Sequence, residues 1–218
     1  MLSEQEFAVK REQMVRNQLV DRNIQDPRVL DAMRRVPRHI FVPDELRFAA
    51  YRDRPLPIGY EQTISQPYII AVMLELLQMC GHETVLEVGS GSGYQTALLA
   101  ELGAMVYSLE CKPQLAALAG RRMSDLGYDN VEIYKGDGSQ GLADMGPYDA
   151  IIVGASAPSI PGPLMAQLRE SGRLVLPVGD RDTQYLERVW RSDGEWHVEQ
   201  LLPVVFVPLL GRYGFKER

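Results

Sequence analysis

The residues of this chain best suited to chemistry form a glycine-rich run, VLEVGSGSGY, from Val85 to Tyr94. An apolar stretch precedes the run and a helix-forming stretch follows it, which predicts a tight turn between a strand and a helix. Gly89, Gly91 and Gly93 let a ligand approach the backbone closely, and free N–H groups at the start of a helix attract an anionic group. The run therefore predicts a site for a nucleotide cofactor.

Acidic residues lie at the ends of the strands predicted around this turn. Glu87 ends the first strand and Glu110 ends the second, where a carboxylate can accept hydrogen bonds from both ribose hydroxyls of a nucleoside. Asp137, within Gly136-Asp137-Gly138, follows the third strand and either reaches an adenine edge or serves only the turn. Carboxylates suit a cationic ligand better than a phosphate, so we expect S-adenosyl-L-methionine as the cofactor, with S-adenosyl-L-homocysteine as its product.

Other nucleotide and nucleophile motifs do not match the run. A dinucleotide fingerprint would need a glycine where Tyr94 stands, which disfavours an NAD-dependent oxidoreductase. A P-loop would need a Gly-Lys pair, which the sequence lacks, and a hydrolase elbow would need serine where Gly91 stands. His39, His82 and His197 are scattered, and we expect each to be structural or on the surface.

A second polar segment, PLPIGYEQTISQPY from Pro55 to Tyr68, combines rigid prolines with hydroxyl and amide side chains. Pro67 predicts the start of a helix. By residue type alone, Ser65 is better explained as the cap of that helix than as a functional group.

The ordered set of motifs resembles the protein-L-isoaspartate O-methyltransferase family over nearly the whole chain, from about Met14 to Leu210. The most specific piece is QTISQP, from Gln62 to Pro67, with the run RVPRHIFVP from Arg35 to Pro43 before it. Further matches are LEVGSGSGYQ, GDG, PYDAIIV and FVPLLG. Glycine commonly stands in this family where the chain has Glu61, and Gly154-Ala155-Ser156 also varies from the family pattern.

The resemblance implies methyl transfer from S-adenosyl-L-methionine to the free α-carboxylate of L-isoaspartyl residues in damaged peptides and proteins, which starts their repair through a succinimide. It implies that Ser65 is the active-site serine. The residues it implies for the cofactor are Gln62, Thr63, Ser65, Glu87, Gly89, Ser90, Gly91, Gly93, Glu110, Asp137 and Gly138. Those implied for the peptide are Ile64, Gln66, Val207 and Leu210.

The elements that must position these residues follow from the hydrophobic pattern. Between residues 84 and 177, strand-like stretches alternate with helical ones, which predicts a parallel sheet covered by helices. Ser192-Asp193-Gly194 then separates two strand-like stretches and predicts an antiparallel hairpin. We also expect a helix from Ser3 to Val20, a loop from Arg52 to Gln66 and a short helix from Pro163 to Glu170.

Together with the resemblance, this order predicts an α/β fold of the Rossmann-like class I S-adenosylmethionine-dependent methyltransferase type. We expect a mostly parallel sheet with a C-terminal antiparallel hairpin and an N-terminal helical extension. One domain over residues 1–218 is expected. Its parts are an extension with the substrate loop (1–80), a cofactor-binding core (81–178) and the hairpin with the C-terminal segment (179–218).

The composition of the chain limits the partners and locations that we expect for the protein. The 23 basic and 29 acidic residues give a net charge of −6, which argues against nucleic acid because that partner needs a basic surface. The longest apolar stretch, Ile69 to Met79, is too short to cross a membrane. Cys80 and Cys111 form no metal or redox pattern, so we expect no metal and a cytoplasmic location. We also expect a monomer, with an oligomer left open.

Two alternatives to this function stay open, and one hypothesis concerns the chain itself. The cofactor half would look the same in a methyltransferase acting on a small molecule or RNA, and a non-catalytic module could also bind a nucleoside. The segment from Gln62 to Pro67 favours the isoaspartate reaction over both. Asp193-Gly194 is prone to isomerise because glycine does not hinder ring closure, so we hypothesise that the protein becomes its own substrate there.

Overall fold

A computed structural model describes residues 2–103 and 105–216 of the chain. The helices that these residues form are α1 (Glu4–Met14), α2 (Pro27–Arg35), α3 (Pro67–Leu77), α4 (Tyr94–Leu102), α5 (Pro113–Asp125) and α6 (Gly162–Ala166). The strands are β1 (Leu56–Gly59), β2 (Gln62–Ile64), β3 (Thr84–Val88), β4 (Met105–Glu110), β5 (Val131–Lys135), β6 (Tyr148–Val153), β7 (Leu168–Gly179), β8 (Gln184–Ser192) and β9 (Glu195–Val204).

Seven of the strands form one sheet in the order β5-β4-β3-β6-β7-β8-β9. The pairs from β5 to β7 are parallel, and β8 and β9 add antiparallel strands at one edge. The predicted parallel sheet with an antiparallel end is therefore confirmed. Because the chain order reverses on either side of β3, a crevice forms at the carboxyl end of that strand, which is where open α/β sheets bind ligands.

Both faces of the sheet are covered by apolar side chains. Alternation along β3 sends Val85 into one buried cluster and Leu86 and Val88 into the other. The first cluster also contains Met14 of α1 and Leu74 of α3, so the N-terminal helices pack on the same core as the sheet. The division of the chain into three parts stays a prediction, although all of them contribute to this packing.

Two expected elements differ from the structure. The segment from Arg52 to Gln66, predicted as a loop, contains the antiparallel hairpin β1–β2, because Leu56 pairs with Ile64. The helix predicted to reach Glu170 ends at Ala166, because Leu168 already pairs with β6. In both places pairing with another strand decides the backbone, and local propensity does not report that pairing.

The N-terminal helix continues beyond α1 as a π-helical segment (Val15–Leu19) and then a 3₁₀ turn (Val20–Arg22). No helix within residues 2–103 and 105–216 combines the length and the apolar character that crossing a bilayer requires.

Candidate cofactor and substrate site

The glycine turn between β3 and α4 has a backbone that only glycine adopts without strain. Gly89, Gly91 and Gly93 have φ values of +91°, +51° and +90°. A Cβ atom built at Gly89 or Gly91 would come no closer than 3.4 Å to any atom, so neither position is crowded. Gly93 instead packs against Ala119 of α5, at 3.3 Å from the position of a Cβ atom. The turn therefore presents Gly89 and Gly91 to a ligand, while Gly93 joins the turn to the fold.

A narrow cavity of about 60 Å³, here called the turn cavity, lies beside this turn. It contains eight of the residues that the sequence predicted for the site, namely Gln62, Thr63, Gly89, Gly91, Glu110, Gly138, Val207 and Leu210. Lining residues that the sequence reasoning missed are Val88, Leu109, Cys111, Gly154, Ala155, Pro208 and Leu209. The predicted cofactor residues from four separate segments thus meet at one crevice.

Glu110 lies at the end of β4 with its carboxylate in the wall of the turn cavity. The side chain is only 4% exposed. The Gly91 amide donates to Oε2 at 2.8 Å, and the Lys112 amide donates to Oε1 at 2.9 Å. A carboxylate has about four acceptor positions, so these bonds fix its direction and leave positions for ligand hydroxyls.

Glu87 does not line any of the cavities at this crevice. It lies beneath the turn, fully buried, and accepts hydrogen bonds at 2.6 Å from the hydroxyls of both Thr96 and Ser108. A third bond comes from the Gln95 amide at 3.1 Å. Burial raises the pKa of Glu87 to about 7, although these three hydrogen bonds act in the opposite direction. The structure therefore gives Glu87 contacts that join β3, β4 and α4.

Asp137 is also directed away from the turn cavity. Its Oδ1 accepts from the Ser139 hydroxyl at 2.6 Å, and its Oδ2 accepts from the Arg212 amide at 2.8 Å. Burial by itself would raise the pKa of Asp137, but these and further hydrogen bonds outweigh it and lower that pKa. Asp137 holds the C-terminal segment in place, and its neighbour Gly138 lines the cavity.

Gly138 must be glycine for a steric reason. A Cβ atom at this position would overlap the Val88 side chain at the end of β3. The backbone of Gly138 therefore approaches β3 more closely than any other residue type would allow.

Ser65 lies between the turn and a larger groove of about 440 Å³, here called the Ser65 groove. The groove is walled by Gln66 and Ile69 on one side and by residues 203–207 on the other. A smaller inner cavity of about 40 Å³ places Ser65 and Ile64 next to Gly89, Ser90 and Gly91. Thr63 and Gly154 line all three spaces. The groove and the glycine turn therefore meet at Thr63.

Ser65 does not cap α3, so the structural interpretation favoured by residue type is wrong. Gln66 is the capping residue, and its own side chain makes no capping hydrogen bond. The first turn is satisfied in another way, because Pro67 has no N–H that needs a partner and the Tyr68 amide donates to Asp53 Oδ1 at 3.3 Å. The Ser65 hydroxyl is free to serve the cavities that it lines.

The C-terminal segment completes the crevice. The Ser156 amide donates to the Val207 carbonyl, and the Leu209 amide donates back to the Ser156 carbonyl, each at 2.8 Å. This pairing extends the carboxyl end of β6 and places Val207 in both the turn cavity and the Ser65 groove. Leu210 lines the turn cavity but not the Ser65 groove.

The residues present fit a nucleoside cofactor. Gly89 and Gly91 line the turn cavity without crowding, and the oriented Glu110 carboxylate lines the same cavity from the neighbouring strand β4. The Ser90 hydroxyl is buried, lines the inner cavity and has no hydrogen-bond partner among the described residues. A buried hydroxyl without a partner is costly, and a polar ligand group in the inner cavity would satisfy it.

Some residues near the site carried no separate signal in the sequence. Arg38, Asp53 and Gln95 contact the loop or the turn through side chains that come from distant or unpatterned positions. Arg38 lies inside the matched run RVPRHIFVP, so the motif contained it without revealing its contact. Gly154 directly follows β6, and its position at the crevice follows from the strand order.

Comparison with known proteins points to one family. A family profile described as protein-L-isoaspartate(D-aspartate) O-methyltransferase matches residues 9–214. A protein-L-isoaspartate O-methyltransferase of Methanospirillum hungatei is 51% identical over 208 residues, which cover 95% of this chain and 96% of the relative.

Solved structures agree with the sequence relatives. A protein-L-isoaspartate O-methyltransferase superposes with a TM-score of 0.83 at 27% identity, covering 94% of this chain and 67% of the other. A Plasmodium falciparum beta-aspartate methyltransferase in complex with S-adenosyl-L-homocysteine superposes with a TM-score of 0.79 at 29% identity, covering 90% and 96%.

Proposed function

Because the chain belongs to the protein-L-isoaspartate(D-aspartate) O-methyltransferase family, we propose that it methylates the free α-carboxylate of L-isoaspartyl residues in peptides and proteins. S-adenosyl-L-methionine is the methyl donor, and methyl ester formation starts repair through a succinimide. The observation that supports this most directly is the meeting of the Ser65 groove with the glycine turn at Thr63. A peptide in the groove and a cofactor at the turn would be neighbours there.

The chemistry asks mainly for positioning. A free α-carboxylate has a pKa of roughly 3.3–3.7, so it is ionised at neutral pH and needs no general base. When bound, the cofactor supplies a methyl group on a positively charged sulfur, with a neutral thioether as the leaving group. The protein must hold the carboxylate in line with that bond, and alignment of this kind accounts for much of the rate in transfer reactions.

Each lining residue has a role that fits this task. Gly89, Ser90 and Gly91 hold the methionine portion of the cofactor, and the Glu110 carboxylate accepts from the ribose hydroxyls. The Ser65 hydroxyl orients the substrate carboxylate and is not a covalent nucleophile. No described residue that lines the three spaces is a histidine, lysine or arginine, and neither carboxylate of that lining, Glu110 or Asp182, hydrogen-bonds the Ser65 hydroxyl.

The test is transfer of labelled methyl to two peptides that differ only in one Asp or isoAsp linkage. We expect base-labile label on the isoAsp peptide alone. Ser65→Ala lowers the rate while S-adenosyl-L-homocysteine still binds. Label on neither peptide, with binding of S-adenosyl-L-homocysteine intact by calorimetry, contradicts the proposed substrate. Full activity of Ser65→Ala contradicts the orienting role of Ser65.

We also propose that the protein acts as a cytoplasmic monomer and without nucleic acid. The acidic net charge of −6 supports the last point. Light scattering after size exclusion measures the oligomeric state, and fractionation of cells with an antibody measures the location.

A further inference from the structure

Arg38 is a cation buried beneath the Ser65 loop. Its side chain is fully buried, and Nη2 donates to the Ser65 carbonyl at 2.7 Å. From the same guanidinium, Nε donates to the Ala50 carbonyl at 2.8 Å. One rigid group therefore fixes two backbone carbonyls from segments that lie 15 residues apart, as the spacing of Ala50 and Ser65 shows.

The guanidinium also contacts the helix that follows the glycine turn. Its central carbon lies 4.8 Å from the centre of the Tyr94 ring, and Tyr94 is the first residue of α4. This ring is itself buried, which strengthens the attraction between a cation and an aromatic face. Arg38 thus joins the loop that carries Ser65 to the helix that follows Gly93.

Burying a charged guanidinium such as that of Arg38 costs free energy. Burial lowers the pKa of Arg38 to about 10, so the group is still charged at neutral pH. Its Nη1 is buried and has no hydrogen-bond partner among the described residues. Apolar side chains of similar size fill cores at no such cost, so simple packing does not explain the cation.

We propose that Arg38 is a positioning residue that sets the peptide plane of Ser65 relative to the glycine turn, and thereby the direction of the Ser65 hydroxyl. The inference rests on the proposed function. Arg38 lines none of the three spaces at the crevice, so it acts through Ser65 and does not touch the ligands. Arginine suits this role because its planar fork donates in two fixed directions while stacking on a ring, which lysine does not do.

A double-mutant cycle tests the coupling between the two residues. The variants are Arg38→Lys, Arg38→Gln, Ser65→Ala and the pair Arg38→Lys with Ser65→Ala. For each variant, kcat and KM are measured with the isoAsp peptide, and the Kd of S-adenosyl-L-homocysteine is measured by calorimetry. Arg28→Lys is the matched control, because Arg28 also donates to a backbone carbonyl, that of Leu102, at 3.2 Å but away from the crevice.

We expect Arg38→Lys to lower kcat by roughly 10- to 100-fold, the loss that follows when a reacting group is misplaced by about 1 Å. The Kd of S-adenosyl-L-homocysteine should change less than about threefold, because the backbone of Gly89 and Gly91 is intact. The double variant should be no slower than Ser65→Ala alone, since residues that act through one contact are not additive. Arg28→Lys should keep the wild-type kcat.

Other outcomes overturn the inference. If the losses of Arg38→Lys and Ser65→Ala multiply in the double variant, Arg38 does not act through Ser65. If both Arg38 variants lose S-adenosyl-L-homocysteine binding and melt early, Arg38 is a core residue without a separate positioning role. A wild-type protein that methylates neither peptide contradicts the proposed function itself. If the wild-type protein is fully active and the losses of the two variants multiply, only the role of Arg38 is contradicted.

Discussion

The glycine turn and the Ser65 loop reach the same crevice by different means. The turn is positioned by consecutive residues, because a strand, three left-handed glycines and a helix follow one another directly. Ser65 is positioned by side chains from elsewhere, with Arg38 on its carbonyl and Asp53 on the Gln66 amide at 2.7 Å. The glycine turn is therefore local in sequence, and the Ser65 loop depends on tertiary contacts.

Glu87 and Glu110 show the same contrast within the cofactor half. They end neighbouring parallel strands, yet Glu110 lines the turn cavity and Glu87 is buried beneath the turn. The Glu110 side chain is available to a ligand, whereas Glu87 accepts its three hydrogen bonds from side chains of α4 and β4.

The largest expected effect is a difference between Glu110 and Glu87 in how much each contributes to cofactor affinity. Glu110→Gln should weaken S-adenosyl-L-homocysteine binding by roughly 10- to 100-fold, because hydrogen bonds to a charged acceptor are worth about 1.5–3 kcal/mol. Glu87→Gln should change the Kd less than about threefold, because Glu87 lines no cavity. Calorimetry measures both, with the exposed Glu45→Gln as a control. Equal losses in the two variants would show that access to the turn cavity does not separate their roles.

The second effect is on stability and depends on pH. The pKa of Glu87 is about 7 in the folded protein against 4.5 for a free side chain, so the folded state holds a proton that the unfolded state has released. Stability from this group is fully present below pH 4.5 and is lost as the pH rises through 7. The loss is on the order of 3 kcal/mol. Denaturant unfolding at several pH values measures it.

Glu87→Gln removes the titrating group and should flatten the slope between pH 4.5 and 7. Glu110→Gln is the matched control for this slope. A wild-type slope retained in Glu87→Gln would assign the pH dependence to other groups.

A smaller effect is expected in the turn that joins β1 to β2. Tyr60 and Glu61 both have positive φ, and Glu61 has a φ of 59°. An L side chain in this region costs roughly 1–2 kcal/mol, which explains why glycine suits the position. Glu61→Gly should therefore raise the free energy of unfolding by about 0.5–1 kcal/mol, after the added freedom of the unfolded chain is subtracted.

Glu61→Ala separates strain from charge, because alanine keeps the side-chain strain and removes the carboxylate. We expect it to leave the free energy of unfolding close to the wild-type value. A gain in Glu61→Ala equal to that in Glu61→Gly would assign the effect to charge.

The smallest effect concerns the hairpin between β8 and β9. Asp193 and Gly194 form its exposed turn, and the Gly194 amide donates to Glu170 Oε1 at 3.0 Å. In ring closure this nitrogen loses its proton and bonds to the carbon of the Asp193 carboxyl group, whose C–OH bond breaks with release of water. The bond to Glu170 therefore protects the turn. Glu170→Gln should speed isoaspartate formation at Asp193 a few-fold, as the weaker acceptor holds the amide less firmly.

Mass mapping of aged protein measures this isomerisation, with Glu195→Gln on the same hairpin as the control. The same samples, incubated with labelled methyl donor, test whether the protein methylates itself at this turn. An equal rate in Glu170→Gln and the wild type contradicts protection by Glu170. Isoaspartate that forms at Asp193 without acquiring label contradicts the self-repair hypothesis.

Local patterns in the sequence determined most of the fold and the cofactor half of the site. The strand–turn–helix around Gly89 and Gly91, the position of Glu110 and the antiparallel end of the sheet all follow from residues close together in the chain. Hydrophobic alternation and glycine placement report backbone conformation directly, so they were readable without knowledge of what packs against them.

Tertiary structure alone decided which polar groups reach the crevice. Glu87 and Asp137 look like ligands in the sequence but are turned toward protein partners, while Arg38, which the sequence shows only as part of a matched run, contacts the Ser65 carbonyl. The hairpin β1–β2 also depends on the pairing of Leu56 with Ile64. Side-chain direction and long-range pairing depend on neighbours many residues away, and no local pattern of residue types encodes those neighbours.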